Sequence, residues 1–298
     1  MSSLGLIAPT FPQGPVDFTA LPAWIRRAEA EGVGALWACD HLFWHGPALE
    51  CFTALAAAAA VTERMTIGTA VAQLPLRQTA VVAKTAASVD ALAPGRFVLG
   101  VGVGVHEAEF DLADAAFAGR GIRCERAIER LRSLWAGEED LDGFRLEPCP
   151  ARIPIWIGGA SDAARRRAAR LGDGWMPIFR PAKVLRRDFT ALDADLRDAG
   201  RDPGAVTRAL VVFVAAHADR RLARERGLAW LASLYRLPSE RVARHLVAGE
   251  PEEVADRLAE YRDVGVQHLV CFVADDEPLS QFAAIARSSS KSGFRSSP

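Results

Sequence analysis

Eight short apolar runs alternate with stretches of helical periodicity along a chain of 298 residues. That alternation predicts an α/β fold of the (β/α)8 TIM-barrel class with insertions. Residues 65–104 strengthen the prediction, because they read strand, helix, strand with tight turns. Such a βαβ unit has parallel strands buried on both faces. A closed barrel needs about 250 residues in one domain, and a composition that is 50% hydrophobic can fill its core.

The elements follow in order. Residues 4–8 are the first strand, closed by Pro9 and Pro12, and 18–31 an amphipathic helix ended by Gly32. The second strand, 34–39, runs directly into Asp40-His41, and 49–62 is an alanine-rich helix that must pack closely. The third strand opens at Met65, with Ile67, Ala70 and Val71 apolar. Ala80, Val81, Ala83, Ala87 and Ala91 then give 78–92 helical faces, stopped at Pro94-Gly95. Residues 96–103 form a continuous apolar fourth strand. Beyond Gly104 the apolar regularity lapses until a helix at 120–135, and 137–150 is a small excursion with a turn at Asp142-Gly143. Strands at 153–157, 174–178, 209–216 and 266–273 complete the eight, with helices reaching Leu171 and covering 181–199 and 251–264. Residues 219–247 exceed one crossover and read as an insertion. A last helix begins at Leu279. One barrel domain over 1–287 and a flexible serine-rich tail over 288–298 are expected.

Charge and cysteine usage narrow the function. Lys and Arg total 36 against 37 Asp and Glu, a formal net charge of −1, which leaves no electrostatic footprint for nucleic acid. Five cysteines without regular spacing point to reduced thiols in the cytoplasm rather than a disulfide framework. The N-terminus lacks the pattern of a signal peptide, and the apolar run at 55–61 is too short to span a bilayer. A soluble protein without a membrane or nucleic-acid partner is expected, acting on a small-molecule substrate, with homodimerisation left open.

The carboxyl ends of parallel strands are where ligands sit, so the residues there are the candidates. His41 is the natural proton donor or acceptor near neutral pH. The bland alternative is that Asp40 caps a turn and His41 packs among Phe43, Trp44 and Trp37. Cys39, His41, His45 and Cys51 do not make a zinc site, because Gly46-Pro47 breaks the helix that an HxxxH pair needs. Gly100, Gly102 and Gly104 form GxGxG at the end of a fourth strand, with Val105 next. A dinucleotide fingerprint belongs on a first strand, so here glycine lets a flat ring approach the backbone. Gly158-Gly159-Ala160-Ser161-Asp162 joins a strand to a helix start, which favours phosphate over a plain serine cap. Arg165-Arg166-Arg167 reads as a solvated helix face. Glu107 and Glu109 follow the fourth strand, and nothing in their spacing decides between exposure and function.

Together these motifs resemble the luciferase-like flavin and deazaflavin oxidoreductases, more closely the branch using coenzyme F420 than the FMN monooxygenases. The resemblance covers nearly the whole chain: LWACDH, IGTAV with LPLRQ, GRFVLGVGVG, the RG…ER run, IWIGGAS, LGDGW and PEEVADRL…YRDVGV. It implies a TIM barrel with F420 across its C-terminal face, Asp40 contacting the cofactor and His41 beside its ring as the catalytic residue. Ala70, Val71 and Gln73 would support the ring's back face, with a non-proline cis peptide at Ala70–Val71. Val103 and Gly104 would lie near its edge, and Gly158, Gly159, Ser161 and Asp162 would hold its phosphate. No metal is implied. Sugar-phosphate dehydrogenases of the family carry a glutamate where this chain has Val105, and a lysine that is replaced near Pro181. Apolar walls at Phe43, Trp44 and Phe179 suit a larger hydrophobic or unsaturated substrate. FMN-dependent monooxygenation, and a non-catalytic flavin- or deazaflavin-binding barrel, are the alternatives.

Overall fold

The structure, a computed structural model, describes residues 3–13, 17–139, 142–275 and 278–291. Its strands are β1 (Ser3–Ile7), β2 (Ala35–Ala38), β3 (Thr66–Thr69), β4 (Ala72–Gln73), β5 (Phe97–Gly102), β6 (Ile155–Gly158), β7 (Gly174–Met176), β8 (Thr207–Ala216), β9 (Leu246–Gly249) and β10 (His268–Val273). All pairings between them are parallel, in the order β10-β1-β2-β3-β5-β6-β7-β8, and β10 also pairs with β8. The sheet therefore closes into the expected eight-position barrel with helices outside.

Two strands depart from the sequence reading. The third position is interrupted: β3 ends at Thr69, the Ala70–Val71 peptide is cis, and the chain resumes pairing with β5 through β4. The expected 219–247 insertion holds the helices Arg220–Tyr235 and Ser239–Val242, and it returns through β9. Phe213 and Val214 pair with β10 on one edge of β8 and with β9 on the other.

A short helix, Glu107–Leu112, occupies the stretch expected to be irregular. The last helix, Pro278–Lys291, takes in the start of the expected flexible tail: Ser288 and Ser289 are buried, at 9% and 0% exposure. The remainder of that tail, 292–298, lies outside the described residues.

The barrel interior is packed by Trp37, Trp156, Met176, Val211 and Val270. Gly5 and Gly68 make room for Trp37: a Cβ on either would come within 2.6 Å of its ring. Burying one such aromatic is worth roughly 1.5–3 kcal/mol or more. A second apolar layer lies between the strands and the outer helices, from Ile25 and Leu55 round to Leu258 and Ile285.

Candidate active site

The polar residues of the β2, β4 and β5 ends converge at the carboxyl mouth of the barrel. Asp40, two residues past the end of β2, has a side chain with 0% exposure. Arg77 forks onto it, Nη1 to Oδ2 at 2.7 Å and Nη2 to Oδ1 at 2.8 Å, and the Gln73 backbone N–H donates to Oδ2 at 2.8 Å. Burial pushes the Asp40 carboxyl up, and the Arg77 guanidinium and the Gln73 amide work against it. A bidentate pair of charge-assisted bonds requires the carboxylate, so Asp40 is held as the anion. Both of its oxygens are engaged by Arg77, and Oδ2 also by the Gln73 amide. Arg77 also reaches Glu50 Oε1 at 3.0 Å. Asp40, Glu50 and Cys51 are the one metal-like cluster among the described residues, and the guanidinium already supplies its positive charge.

His41 is a fifth exposed (20%), and its Nδ1 lies 3.0 Å from Oε2 of Glu109, whose side chain is only 3% exposed. Oε1 of Glu109 accepts the backbone N–H groups of Leu42 at 2.5 Å and Phe43 at 3.3 Å. Burial works to raise the Glu109 carboxyl, but the His41 hydrogen bond and charge, followed by Gln73 and the Phe43 amide, bring it below its ordinary value. Gln73 Nε2 donates to Glu109 Oε2 at 3.1 Å and to the Asp40 carbonyl at 3.0 Å. The His41 ring sits among Phe11, Trp44 and His106, with centroids 5.9, 4.2 and 5.5 Å away. The two glutamates differ in placement: Glu109 is buried against His41, while Glu107 is exposed. Sequence reasoning missed Arg77 and did not assign Glu109. The expected cis bond and the Asp40-His41 position are as read.

Glycine shapes the floor. A Cβ on Gly100 would lie 2.0 Å from the Thr69 carbonyl oxygen. Val71 packs against Gly102 and Gly158, where added Cβ atoms would meet its methyls at 2.6 and 2.8 Å. Val103 is partly exposed, and Gly104, at φ +77°, faces Gln73 Oε1. That oxygen is buried and has no hydrogen-bond partner. An orphaned acceptor beside a glycine cradle and a small-residue bulge is what a flat ring bearing an N–H would satisfy.

The Gly158–Asp162 turn leads from the end of β6 into the next helix. Gly159 takes φ +104°, and Ser161 Oγ accepts the Ala164 N–H at 3.2 Å as an ordinary N-cap of the helix Asp162–Leu171. Asp162, 70% exposed, pairs with Arg165 at 2.6 Å. The three arginines do not form one solvated face. Arg165 also binds Asp195 at 2.8 Å, and Arg167 is buried against Glu125 at 3.2 Å; only Arg166 faces solvent.

Around the mouth, Phe43 and Val105 are exposed, while Trp44 and Phe179 are partly buried. Phe179 stacks on Phe213 at 5.3 Å, and Trp44 meets Tyr235 of the insertion edge-on at 6.3 Å.

Comparison with known proteins places the chain in a family and beside several relatives. The family described as luciferase-like monooxygenase matches residues 3–268. The F420-dependent glucose-6-phosphate dehydrogenase of Microbacterium testaceum is 31% identical over 283 residues, covering 82% of this chain and 84% of the relative. Among solved structures, an F420-dependent secondary alcohol dehydrogenase in complex with an F420-acetone adduct superposes with TM-score 0.82 at 19% identity, over 97% of this chain and 99% of that one. The oxygenating constituent of 3,6-diketocamphane monooxygenase from Pseudomonas putida, in complex with FMN, gives TM-score 0.78 at 16% identity over 99% of both chains. At those identities the two structures speak to the fold alone.

Proposed function

Because this chain belongs to the luciferase-like monooxygenase family, we propose that it is an F420-dependent oxidoreductase, transferring a hydride between the deazaflavin and a small organic substrate with an apolar body. The observation that carries the reading is His41, paired through Nδ1 with buried Glu109 at the barrel mouth. Bound there, the deazaflavin supplies two-electron hydride chemistry. The chain's own residues do the rest. His41 gives or takes the accompanying proton at Nε2, or fixes the substrate's polar group. The buried acceptor Gln73 Oε1 and the bulge at Ala70 and Val71 support a ring, and Val103 and Gly104 lie at its edge. Asp40 keeps Gln73 and Arg77 in place behind that surface, and Gly158, Gly159, Ser161 and Asp162 offer the phosphate turn. Phe43, Trp44 and Phe179 exclude water and favour an apolar substrate. Val105, exposed where a sugar-phosphate dehydrogenase carries glutamate, argues against a sugar phosphate.

Titration with F420 and with FMN tests the reading. F420 should bind much more tightly, and a protein that binds FMN tightly and F420 not at all belongs with the monooxygenases instead. A panel of apolar alcohols, carbonyls and unsaturated compounds then separates an enzyme from a passive carrier.

Homodimerisation belongs to the same proposal. An apolar groove lies between the helices Cys51–Val61 and Thr79–Leu92, lined by Val81 and Leu92, each more than half exposed. Light scattering of the purified protein reads it out. All five cysteines are free, which supports a reducing cytoplasm, and no helix among the described residues is long and apolar enough to cross a membrane.

A further inference from the structure

We propose that Glu109 is a positioning residue that fixes the His41 tautomer, keeping the proton on Nδ1 and leaving Nε2 as the atom that exchanges a proton with the substrate. This rests on the reading of His41 as the proton-handling group.

Hydrogen-bond accounting leads to it. Gln73 Nε2 has two hydrogens, and both have acceptors, Asp40 O at 3.0 Å and Glu109 Oε2 at 3.1 Å. The opposite amide orientation would set an oxygen against two acceptors. Gln73 therefore has no hydrogen left for His41 Nδ1, and their 3.3 Å separation is proximity rather than donation. Glu109 Oε2, 3.0 Å from Nδ1, belongs to a carboxylate held below its ordinary range and can only accept. The hydrogen between them must come from the imidazole. In the neutral ring this leaves Nε2 with its lone pair, because the bond made by one nitrogen sets the state of the other. Among the described residues no protein group is bonded to Nε2, and the ring's open neighbours are the aromatic faces of Phe11, Trp44 and His106.

The two carboxylate oxygens divide the work. Oε2 orients the ring, and Oε1 anchors the loop that carries it through the Leu42 and Phe43 amides. When an alcohol is oxidised, its O–H proton would pass to Nε2 while its C–H hydride is taken up by the deazaflavin; reduction of a carbonyl would return the proton from Nε2–H and the hydride from the reduced cofactor.

The test compares Glu109→Gln and Glu109→Asp with the unmodified protein by 15N NMR of the histidine ring nitrogens, without cofactor, and by turnover with F420. In Glu109→Gln the loop amides retain the one remaining carbonyl, so the new NH2 faces Nδ1 and moves the proton to Nε2. We expect that tautomer change, with turnover lowered by roughly 10²–10⁴-fold. Glu109→Asp should keep Nδ1–H and recover about tenfold or more over Glu109→Gln. Retention of Nδ1–H in Glu109→Gln, or an Asp variant no better than the Gln variant, overturns the proposal and leaves Glu109 a loop anchor. If the tautomer shifts as expected while Glu109→Gln and His41→Ala both turn over normally, the proton role of His41 fails and the tautomer assignment stands.

Discussion

Two histidines at opposite ends of the barrel have opposite surroundings. His41, at the carboxyl mouth, is partly open and has the carboxylate of Glu109 on Nδ1. His268, at the start of β10, is 6% exposed and has only neutral partners: Trp37 Nε1–H donates to its Nε2 at 3.0 Å, and Ser3 Oγ lies 2.6 Å from its Nδ1. Burial pushes His268 down to about 4. It is a neutral packing group near physiological pH, whereas His41 has a carboxylate on Nδ1, the partner that its proposed proton role calls for. Residue type does not separate a catalytic histidine from a structural one; the charge of the partner and access to a ligand do.

The largest expected effect tests the mouth. His41→Ala should lower turnover by roughly 10²–10⁴-fold, leaving cofactor affinity nearly intact; normal kinetics with a verified substrate would make His41 a second packing histidine. Arg77→Ala should act on stability. It strands the wholly buried Asp40 carboxylate, a loss of about 3–5 kcal/mol by chemical denaturation, because Arg77 is itself only 12% exposed. His268→Gln sharpens the contrast through pH. Between about 4 and the ordinary 6.5, the unfolded chain binds a proton on this residue that the folded chain refuses. Its contribution is therefore complete above pH 6.5 and is lost as pH falls toward 4, by about 3 kcal/mol at 1.36 kcal/mol per unit. Glutamine can still accept from Trp37 and donate to Ser3, so the variant's stability should fall less steeply over that window, with F420 turnover unchanged at neutral pH. The smallest effect belongs to Arg236→Ala. Arg236 ties the insertion to the His45 carbonyl at 3.1 Å on an exposed surface, and its loss should cost about 0.5–1 kcal/mol in a urea titration.

Much of this was legible in the chain. Apolar runs located the barrel strands, and the Asp40-His41 dipeptide marked the mouth, because strand ends in parallel sheets are places for ligands. The partners of those residues were not legible. Glu109 is 68 residues from His41, and Arg77 is 37 from Asp40, so no local period links them. The helix Glu107–Leu112 has only Phe110 as a fully buried apolar residue, too few for an apolar repeat to show. Ser288 and Ser289 misled for a related reason: serine is common in mobile tails, yet its small side chain fits a helix pressed on the barrel. Arg167 looked solvated beside two other arginines, but its position on the helix turns it inward to Glu125. The cis bond came from resemblance, not from any property of Ala70 and Val71 alone.

The pairing of β10 with both β1 and β8 has a consequence for assembly. The Ser3–His268 contact joins residues 265 apart in the chain, so a nascent polypeptide cannot complete the ring until β10 has been synthesised. Contacts of such separation carry a large loop-closure cost and form late. A chain cut before residue 268 would lack one strand yet expose two edges at once, one on β1 and one on β8. Exposed parallel edges recruit other chains, so truncated products of this barrel should aggregate rather than persist as a seven-stranded intermediate.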